Sequence, residues 1–210
     1  MSKAMDARVI RSRQVMRTAT MNLLAESDRF SISELLEEAH VTRGTFYRHY
    51  SNKNDLINDV NHYLIHDLLS ENTERFVCYE VVKKIAAEAN FYHEVFNHNK
   101  NTDLLFALME ELRKRRDVAL QNLRSSALKT RIVFQWEMMT AAFFAAVALW
   151  LEEGMPFSAE DLVIEFKSLW KGTSGRTKKS AQSLFDFYVP LSNPEKVTDS
   201  VEQVAQSKER

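Results

Sequence analysis

The chain has 210 residues, of which 45% are hydrophobic and 27% charged, so it is long enough to bury a core and too apolar to be disordered throughout. It contains only four glycines and three prolines, which favours long uninterrupted helices over a sheet rich in turns. We therefore expect an all-α protein. The single cysteine excludes an intramolecular disulfide and the N-terminal residues lack the apolar stretch of a secretory signal, so a cytoplasmic location is expected.

Charge is unevenly distributed along the chain. Residues 1–53 carry nine Lys or Arg against six Asp or Glu, a net +3, so the remaining 157 residues carry −4 of the total −1. A basic N-terminal quarter is compatible with nucleic acid as a partner, although a small local excess is also common on a solvated face.

Apolar residues recur at helical spacing along most of the chain. Ser31-Ile32-Ser33-Glu34 has the pattern of a capping box, in which the cap hydroxyl and the carboxylate three residues later exchange hydrogen bonds with the backbone. Thr42 is the expected N-cap of the next helix. The predicted helices cover residues 4–26, 31–39, 43–49, 56–68, 77–97, about 101–125, about 129–153 and 158–170.

Two apolar segments need a separate interpretation. Residues 138–151 are almost entirely apolar but number only 14 between two glutamates, short of the roughly 20 needed to span a bilayer, so we predict a buried or interface helix and no membrane partner. From residue 173 onward the chain is mostly polar, which predicts a mobile tail, and its apolar segment at 184–189 is expected to dock on the body.

The stretch from Phe30 to Ile57, FSISELLEEAHVTRGTFYRHYSNKNDLI, closely resembles the helix-turn-helix of the tetracycline-repressor family. It has the same order of capping residue, short helix, Val-Thr-Arg-Gly-Thr-Phe-Tyr-Arg-His-Tyr segment and Ser-Asn-Lys before the next apolar helix, with His40 where the family prefers glycine. The resemblance implies an N-terminal three-helix helix-turn-helix domain, a C-terminal helical bundle and a homodimer that binds double-stranded DNA. It also implies a transcriptional regulator, more commonly a repressor, that a small-molecule effector releases. The predicted domains are residues 1–52, the helix-turn-helix; 53–173, for sensing and dimerisation; and 174–210, the tail.

A helix that enters the major groove must present small or hydrogen-bonding side chains at its N-terminal end and anchor its rear face in the domain. Phe46 and Tyr50, together with Val41, are the expected anchor. The residues that the family's pattern assigns to DNA are Ser33, Thr42, Arg43, Gly44, Thr45, Tyr47, His49 and Lys53.

Each of these residue types has a chemical reason to face DNA. Arg43 can form a bidentate contact with guanine, Thr45 can touch a thymine methyl or a phosphate, and Gly44 permits a close backbone approach. Tyr47, His49 and Lys53 are expected to bind phosphates, and the hydroxyls of Ser33 and Thr42 could donate to them.

One short recognition helix reads too few bases to be selective, so two copies about 34–36 Å apart are expected on a near-palindromic operator. Apolar stripes on the last two long helices are predicted to form a four-helix interface between subunits. Its members are Trp136, Met139, Phe143, Val147, Trp150, Leu162, Phe166, Leu169 and Trp170. The alternative is that the stripes fill the core of one subunit.

The segment at residues 150–162, WLEEGMPFSAEDL, more weakly resembles a C-terminal domain of the branch that includes dihydroxyacetone-kinase regulators. Some members of that branch respond to partner proteins. This resemblance implies an alternative function, in which the chain is a coactivator-type relative that acts through a protein partner.

Aromatic and methionine side chains could line an effector pocket among the central helices. The candidates, for which ordinary core packing is the open alternative, are Tyr63, Phe91, Tyr92, Phe96, Phe106 and Met109.

Histidine spacing raises a further alternative, a regulator that responds to a metal or to haem. His62 and His66 share a helix face, and His93 and His98 could add ligands for zinc or haem. We nevertheless expect no cofactor, because no thiolate pair or carboxylate stands at a diagnostic offset. The run of four basic residues at 113–116 is expected to be a solvated helix face.

An enzyme is not expected, since the sequence contains no glycine-rich phosphate loop, nucleophile elbow or convincing carboxylate pair.

Overall fold

The computed structural model describes residues 3–27, 29–69, 75–98, 103–170 and 180–190. Within these ranges the chain is almost entirely helical, which confirms the all-α prediction. The helices are α1 (Lys3–Glu26), α2 (Ile32–Glu38), α3 (Arg43–His49), α4 (Lys53–Leu68), α5 (Cys78–Ala87), α6 (Ala89–Asn97), α7 (Leu104–Ala119), α8 (Ser126–Glu152) and α9 (Ala159–Trp170).

The predicted helix over residues 77–97 is divided into α5 and α6. Glu88 lies between them with φ −121° and ψ 42°, outside the helical region. No glycine or proline marks this break. The break lets α5 pack on α9 while α6 packs on both α1 and α8.

The apolar segment of the tail docks on the body as expected. A 3₁₀ turn at Ala181–Leu184 packs on α8 and leads into β2 (Phe185–Asp186), which pairs in parallel with β1 (Phe76–Val77). Phe185 is buried against the rings of Phe76 and Trp136. Most of the predicted mobile tail, residues 174–179 and 191–210, lies outside the described residues, as do the residues directly after α9.

The centre of the body is α8. Phe143, in the middle of this helix, makes edge-to-face contacts with Phe76, Phe144 and Phe166, with ring centroids 5.1–5.4 Å apart. In the described part of the chain, α8 is the one helix long and apolar enough to cross a membrane by length and composition, which is weak evidence because core helices meet the same test.

The basic run at 113–116 is not a solvated face, and that expectation was wrong. Arg116 is buried beneath Trp136, and its guanidinium lies 4.7 Å from the ring centroid. Both Arg113 and Arg116 donate to Glu137 of α8, at 2.6–3.0 Å. These bonds lower the pKa of Glu137, and those from Arg113 have the largest effect. Arg113 and Arg116 therefore hold α7 against α8, while Lys114 is exposed.

The N-terminal helices α1–α3 are connected to the C-terminal body, α5–α9, through the packing of α1 and α4. α1 packs on α2, on α4 and most extensively on α6, while α4 packs on α5 and α7. A movement of α6 would therefore be transmitted to α1, and through it to the helices in front.

Candidate nucleic-acid interface

The capping box predicted for α2 is present. The backbone N–H of Ser31 donates to the Glu34 carboxylate at 2.6 Å, and the N–H of Glu34 donates to Ser31 Oγ at 3.2 Å. These two hydrogen bonds lower the pKa of Glu34. The two bonds pair the N–H groups of Ser31 and Glu34 with partners three residues away in the sequence, and α2 starts where the sequence indicates.

The turn between α2 and α3 contains a residue with left-handed backbone. His40 has φ 51°, and its N–H donates to the carbonyl of Glu37 at 3.1 Å. The N–H of Val41 donates to the carbonyl of Leu36 at 3.0 Å. Glycine adopts this conformation without the cost that a side chain imposes, which explains why the tetracycline-repressor pattern prefers glycine here. Here a histidine adopts this conformation, and the two backbone hydrogen bonds close the turn.

The rear face of α3 is anchored as predicted. Phe46 is fully buried, Tyr50 is buried at the end of the helix, and their ring centroids lie 5.7 Å apart. Thr42 caps the helix by accepting from the N–H of Thr45 at 3.2 Å. Because its apolar side is held in the domain, α3 presents its other side to solvent.

The outward side of α3 carries the predicted DNA-facing residues. Arg43 and Gly44 are exposed, Thr45 is half-buried, and Tyr47 has 51% of its surface exposed. Arg48, which the sequence reasoning did not select, is exposed as well and adds a positive charge. The sequence could have indicated that Arg48 is exposed, because it follows Tyr47 and does not share the helix face of the anchor residues Phe46 and Tyr50.

The same surface continues onto α2. Arg43 Nη2 donates to the hydroxyl of Ser33 at 3.3 Å, and the hydroxyls of Thr42 and Thr45 lie 3.0 Å apart. Ser33 and Thr42 are both exposed. These polar groups hydrogen-bond to one another, and all of them are accessible to a partner.

Gly44 is the residue that the fold itself does not require. Within α3, a Cβ added at this position would meet only Thr42 Oγ, at 3.9 Å, which is an ordinary contact distance. Glycine inside a helix is less stable than alanine by roughly 0.5–1 kcal/mol. A glycine that the fold could replace lies at the centre of the exposed face, where a partner's close approach would explain it.

Two of the residues predicted to bind phosphate, Lys53 and His49, make polar contacts within the domain. Lys53 is half-buried: its Nζ donates to the carbonyl of Phe30 at 2.5 Å and lies 3.8 Å from the Phe30 ring centroid. His49 Nε2 lies 2.7 Å from the hydroxyl of Ser12 on α1. Burial lowers the pKa of both groups, and the nearby Arg13 adds to the effect on His49. In this structure both side chains link elements of the domain, and their contact with DNA phosphates stays a prediction.

An ion network that the sequence did not reveal fixes α3 against α1 and α4. Arg17 donates two hydrogen bonds of 2.8 Å to the Asp59 carboxylate, and Tyr50 Oη donates a third at 2.7 Å. Burial raises the pKa of Asp59, but the bonds from Arg17 and Tyr50 outweigh it and the pKa is lowered. No local pattern links residues 17, 50 and 59, so only their positions in the fold could show the network.

The six predicted pocket residues do not line one cavity. Tyr63 and Phe91 border a cleft of about 620 Å³ between α1, α4 and the junction of α5 and α6. Tyr92 and Phe96 instead pack in the core, and Phe106 has 66% of its surface exposed on α7. Met109 is partly buried on α7 and packs against the core. The predicted pocket is therefore corrected to a cleft that touches α1.

The apolar stripe predicted to form the dimer interface faces the core of its own subunit. Seven of its nine members are buried in the subunit's own core: Trp136, Met139, Phe143, Val147, Trp150, Leu162 and Phe166. Trp170 is half-buried, and Leu169 alone of the nine is largely exposed, at 73%. The most apolar stripe of a helix gains most from burial inside the subunit, so the core interpretation is the correct one.

The histidine pairs have different surroundings. His62 and His66 are exposed on α4. His93, in the middle of α6, and His98, the residue that ends it, lie beside Glu152 of α8, and the possible ligand atoms of these three side chains are within 4.8 Å of one another.

Comparison with known proteins supports the N-terminal assignment. Residues 17–60 match the family of bacterial regulatory proteins, tetR family. A segment of 58 residues is 36% identical to an uncharacterized HTH-type transcriptional regulator, YxbF, of Bacillus subtilis (strain 168), and covers 26% of this chain and 15% of that protein. The likeness thus spans a small part of the relative's length. It identifies residues 17–60 as a helix-turn-helix of the tetR type and leaves the C-terminal resemblance to the dihydroxyacetone-kinase-regulator branch a prediction.

Proposed function

We propose that the protein is a DNA-binding transcriptional regulator that reads the major groove of double-stranded DNA with α3. The observation that carries this proposal is the exposed polar face of α3, with Arg43, Gly44 and Tyr47, mounted on the buried anchor Phe46. This is the arrangement that base-edge readout requires. Such a regulator acts in the cytoplasm and catalyses no reaction.

Substitution of Arg43 tests the interface. A duplex selected from a random library by the purified protein serves as the probe, and fluorescence anisotropy measures its affinity. Arg43→Ala should weaken binding by about 10–100-fold, because a bidentate contact with a base contributes roughly 1–3 kcal/mol. Arg124→Ala, which removes an exposed arginine from the loop between α7 and α8, is the matched control and should bind as the parent does.

The dependence on salt gives a second readout. Phosphate contacts release counterions, so the affinity should fall steeply as salt rises. A flat response, or equal affinities of the Arg43→Ala and Arg124→Ala proteins, would contradict DNA binding through α3.

The protein is further proposed to act as a homodimer through the outer face of α8. Phe134, Met138 and Leu149 are exposed at helical spacing along this face, and alanines at 141, 142 and 145 leave room for close helix packing. Ile164 and Leu169 add exposed apolar surface on α9. A symmetric pair of subunits would present two copies of α3 to a near-palindromic operator.

A charge placed in this face tests the dimer. Met138→Glu should convert the dimer to a monomer in sedimentation velocity experiments, because an unpaired carboxylate would be buried at the interface. Val118→Glu, at an exposed apolar position on α7, is the control and should stay dimeric. A parent protein that is monomeric at micromolar concentration would refute this part of the proposal.

Repression and its release by a small molecule are proposed from the cleft of about 620 Å³. Its walls come from α1, with Gln14 and Thr18, and from the body, with Tyr63 and Asn90. A ligand there would change how α1 sits on α6. Ala89→Trp should fill the cleft, so compounds that raise the melting temperature of the parent should not affect this variant.

Reporter expression tests the direction of control. With the selected duplex placed in a promoter, the protein should lower reporter expression and Arg43→Ala should restore it. Higher expression in the presence of the parent protein would indicate an activator.

A further inference from the structure

We propose that His93, His98 and Glu152 bind one divalent first-row transition-metal ion, with Zn²⁺ as the representative case. The ligand atoms of the three side chains lie within 4.8 Å of one another. Two imidazoles and a carboxylate form a ligand set that suits zinc and its neighbours in the first row. His93 lies in the middle of α6, His98 is the residue directly after it, and Glu152 is the last residue of α8.

The distances require only a small closure around the ion. His93 Nε2 already lies 2.8 Å from a Glu152 carboxylate oxygen, and the rings of His93 and His98 have centroids 5.3 Å apart. In a tetrahedral site with bonds near 2.0–2.1 Å, ligand atoms are about 3.4 Å apart. The widest pair therefore moves inward by about 1.4 Å at most, and His98 is exposed at the end of its helix, where a side-chain rotation has room.

The Glu94 carboxylate lies beside the second ring nitrogen of His93. His93 Nδ1 lies 3.5 Å from a carboxylate oxygen of Glu94. Histidines that bind metals commonly direct their second ring nitrogen to a carboxylate, which keeps the proton on that nitrogen. Because a carboxylate only accepts, the 2.8 Å contact with Glu152 places a proton on Nε2 in this structure. Metal binding would replace that proton with the ion, and a proton on Nδ1 would then face Glu94.

The two helices that supply the ligands are already fixed to each other. Asn97 Nδ2 donates to the carbonyl of Ala148 at 3.0 Å, one turn before Glu152 on α8. The ion would therefore bind a largely prearranged pair of elements, clamp the end of α6 to α8, and retain a solvent-facing position for water as its fourth ligand.

The site also borders the N-terminal unit. His93 and Glu94 line a cleft of about 360 Å³ whose other walls include Asn22 of α1 and Glu38 of α2. Since α6 packs on α1, clamping α6 alters the support of the helix-turn-helix. On the proposed function, which this step rests on, the metal is an effector that changes DNA affinity.

Direct metal binding tests the site without reference to DNA. The full-length protein without a tag is stripped with a chelator, dialysed against ZnCl₂ and analysed for bound zinc by mass spectrometry. One Zn²⁺ per chain is expected, and His98→Asn and Glu152→Gln should each weaken binding at least tenfold. Both substitutions are at exposed positions, so the fold should persist, which circular dichroism checks.

His62→Asn is the matched control, because it removes an exposed histidine from α4 and should leave zinc binding unchanged. Equal binding by the parent and by Glu152→Gln would overturn the site, as would a loss in His62→Asn as large as that in His98→Asn.

DNA affinity measured with and without ZnCl₂ tests the effector step. The parent should change its affinity at least fivefold, and Glu152→Gln should not respond. Zinc binding with no change in DNA affinity overturns the effector role alone. Failure to bind DNA in either state overturns the proposed function together with the effector role and leaves the metal site intact.

Discussion

The three helices α2, α3 and α4 each begin with a side-chain cap, whereas α5, α6 and α7 in the C-terminal body begin without one. Ser31, Thr42 and Asn52 accept from backbone N–H groups at the starts of α2, α3 and α4. In contrast, α5, α6 and α7 begin without a side-chain cap hydrogen bond. In the body, α8 is capped by Ser125, and the helices pack around the aromatic cluster centred on its Phe143, which contacts Phe76, a residue 67 positions earlier.

The contrast separates local from long-range stabilisation. Caps act over three residues and contribute about 1 kcal/mol each, while a buried ring contributes several times more through contacts distant in sequence. A chain that must present a defined helix to a partner gains from fixing its ends locally. Substitutions in the two regions should therefore differ in size and in what they change.

Removal of the central ring should have the largest effect. Phe143, 1% exposed, contacts three other rings, so Phe143→Ala should lower the free energy of unfolding by about 3–5 kcal/mol. Urea denaturation followed by circular dichroism measures it. Phe106→Ala, at an exposed position on α7, should change stability by less than about 0.5 kcal/mol. Similar losses in the two variants would mean that the body does not depend on this cluster.

Disruption of the Arg17–Tyr50–Asp59 network should have the second-largest effect on stability, because it joins residues of α1, α3 and α4 that are distant in sequence. Asp59→Asn should cost about 1–3 kcal/mol at neutral pH, since it weakens charge-assisted hydrogen bonds to Arg17 and Tyr50. The pKa of Asp59 is lowered in the folded protein, so its contribution is complete above the unfolded value near 3.8 and is lost as pH falls through the lower folded value.

Urea titrations between pH 3 and pH 7 check this sign. The stability difference between the parent and Asp59→Asn should shrink as the solution is acidified below about pH 4. A difference that stays constant to pH 3 would show that the Asp59 charge does not contribute to the effect.

Loss of a cap should have a smaller effect. Thr42→Ala removes the acceptor for the N–H of Thr45 and should cost about 1 kcal/mol. Thr130→Ala on α8 is the control, since this exposed hydroxyl only donates to the carbonyl one turn earlier and caps no helix. Equal costs for the two threonines would remove the argument that local caps define α3.

The smallest change in stability should have the opposite sign. Gly44→Ala should stabilise the protein by about 0.5–1 kcal/mol, because the fold has room for a Cβ. DNA affinity should nevertheless fall, since the added methyl occupies the surface where a backbone approach is expected. Thermal unfolding and anisotropy measure the two effects, and a variant that is more stable and binds DNA unchanged would disprove the close approach.

The sequence by itself determined the front unit. The capping box at Ser31, the cap at Thr42, the bounds of α3 and the anchor formed by Phe46 and Tyr50 all follow from neighbours within a few residues. The all-α class follows for the same reason, because helical periodicity is a local property. The C-terminal helices were also indicated, although the break at Glu88 was not.

Only the tertiary structure decided which side chains remain available. The face of α8 chosen for the dimer is the core face, Lys53 is engaged by Phe30, and His93 and His98 meet Glu152 across two helices. A helix that is apolar on several sides can bury any of them, and a charged side chain can turn to any partner within reach. These contacts form between residues that are far apart in sequence, so no short segment of the sequence predicts them.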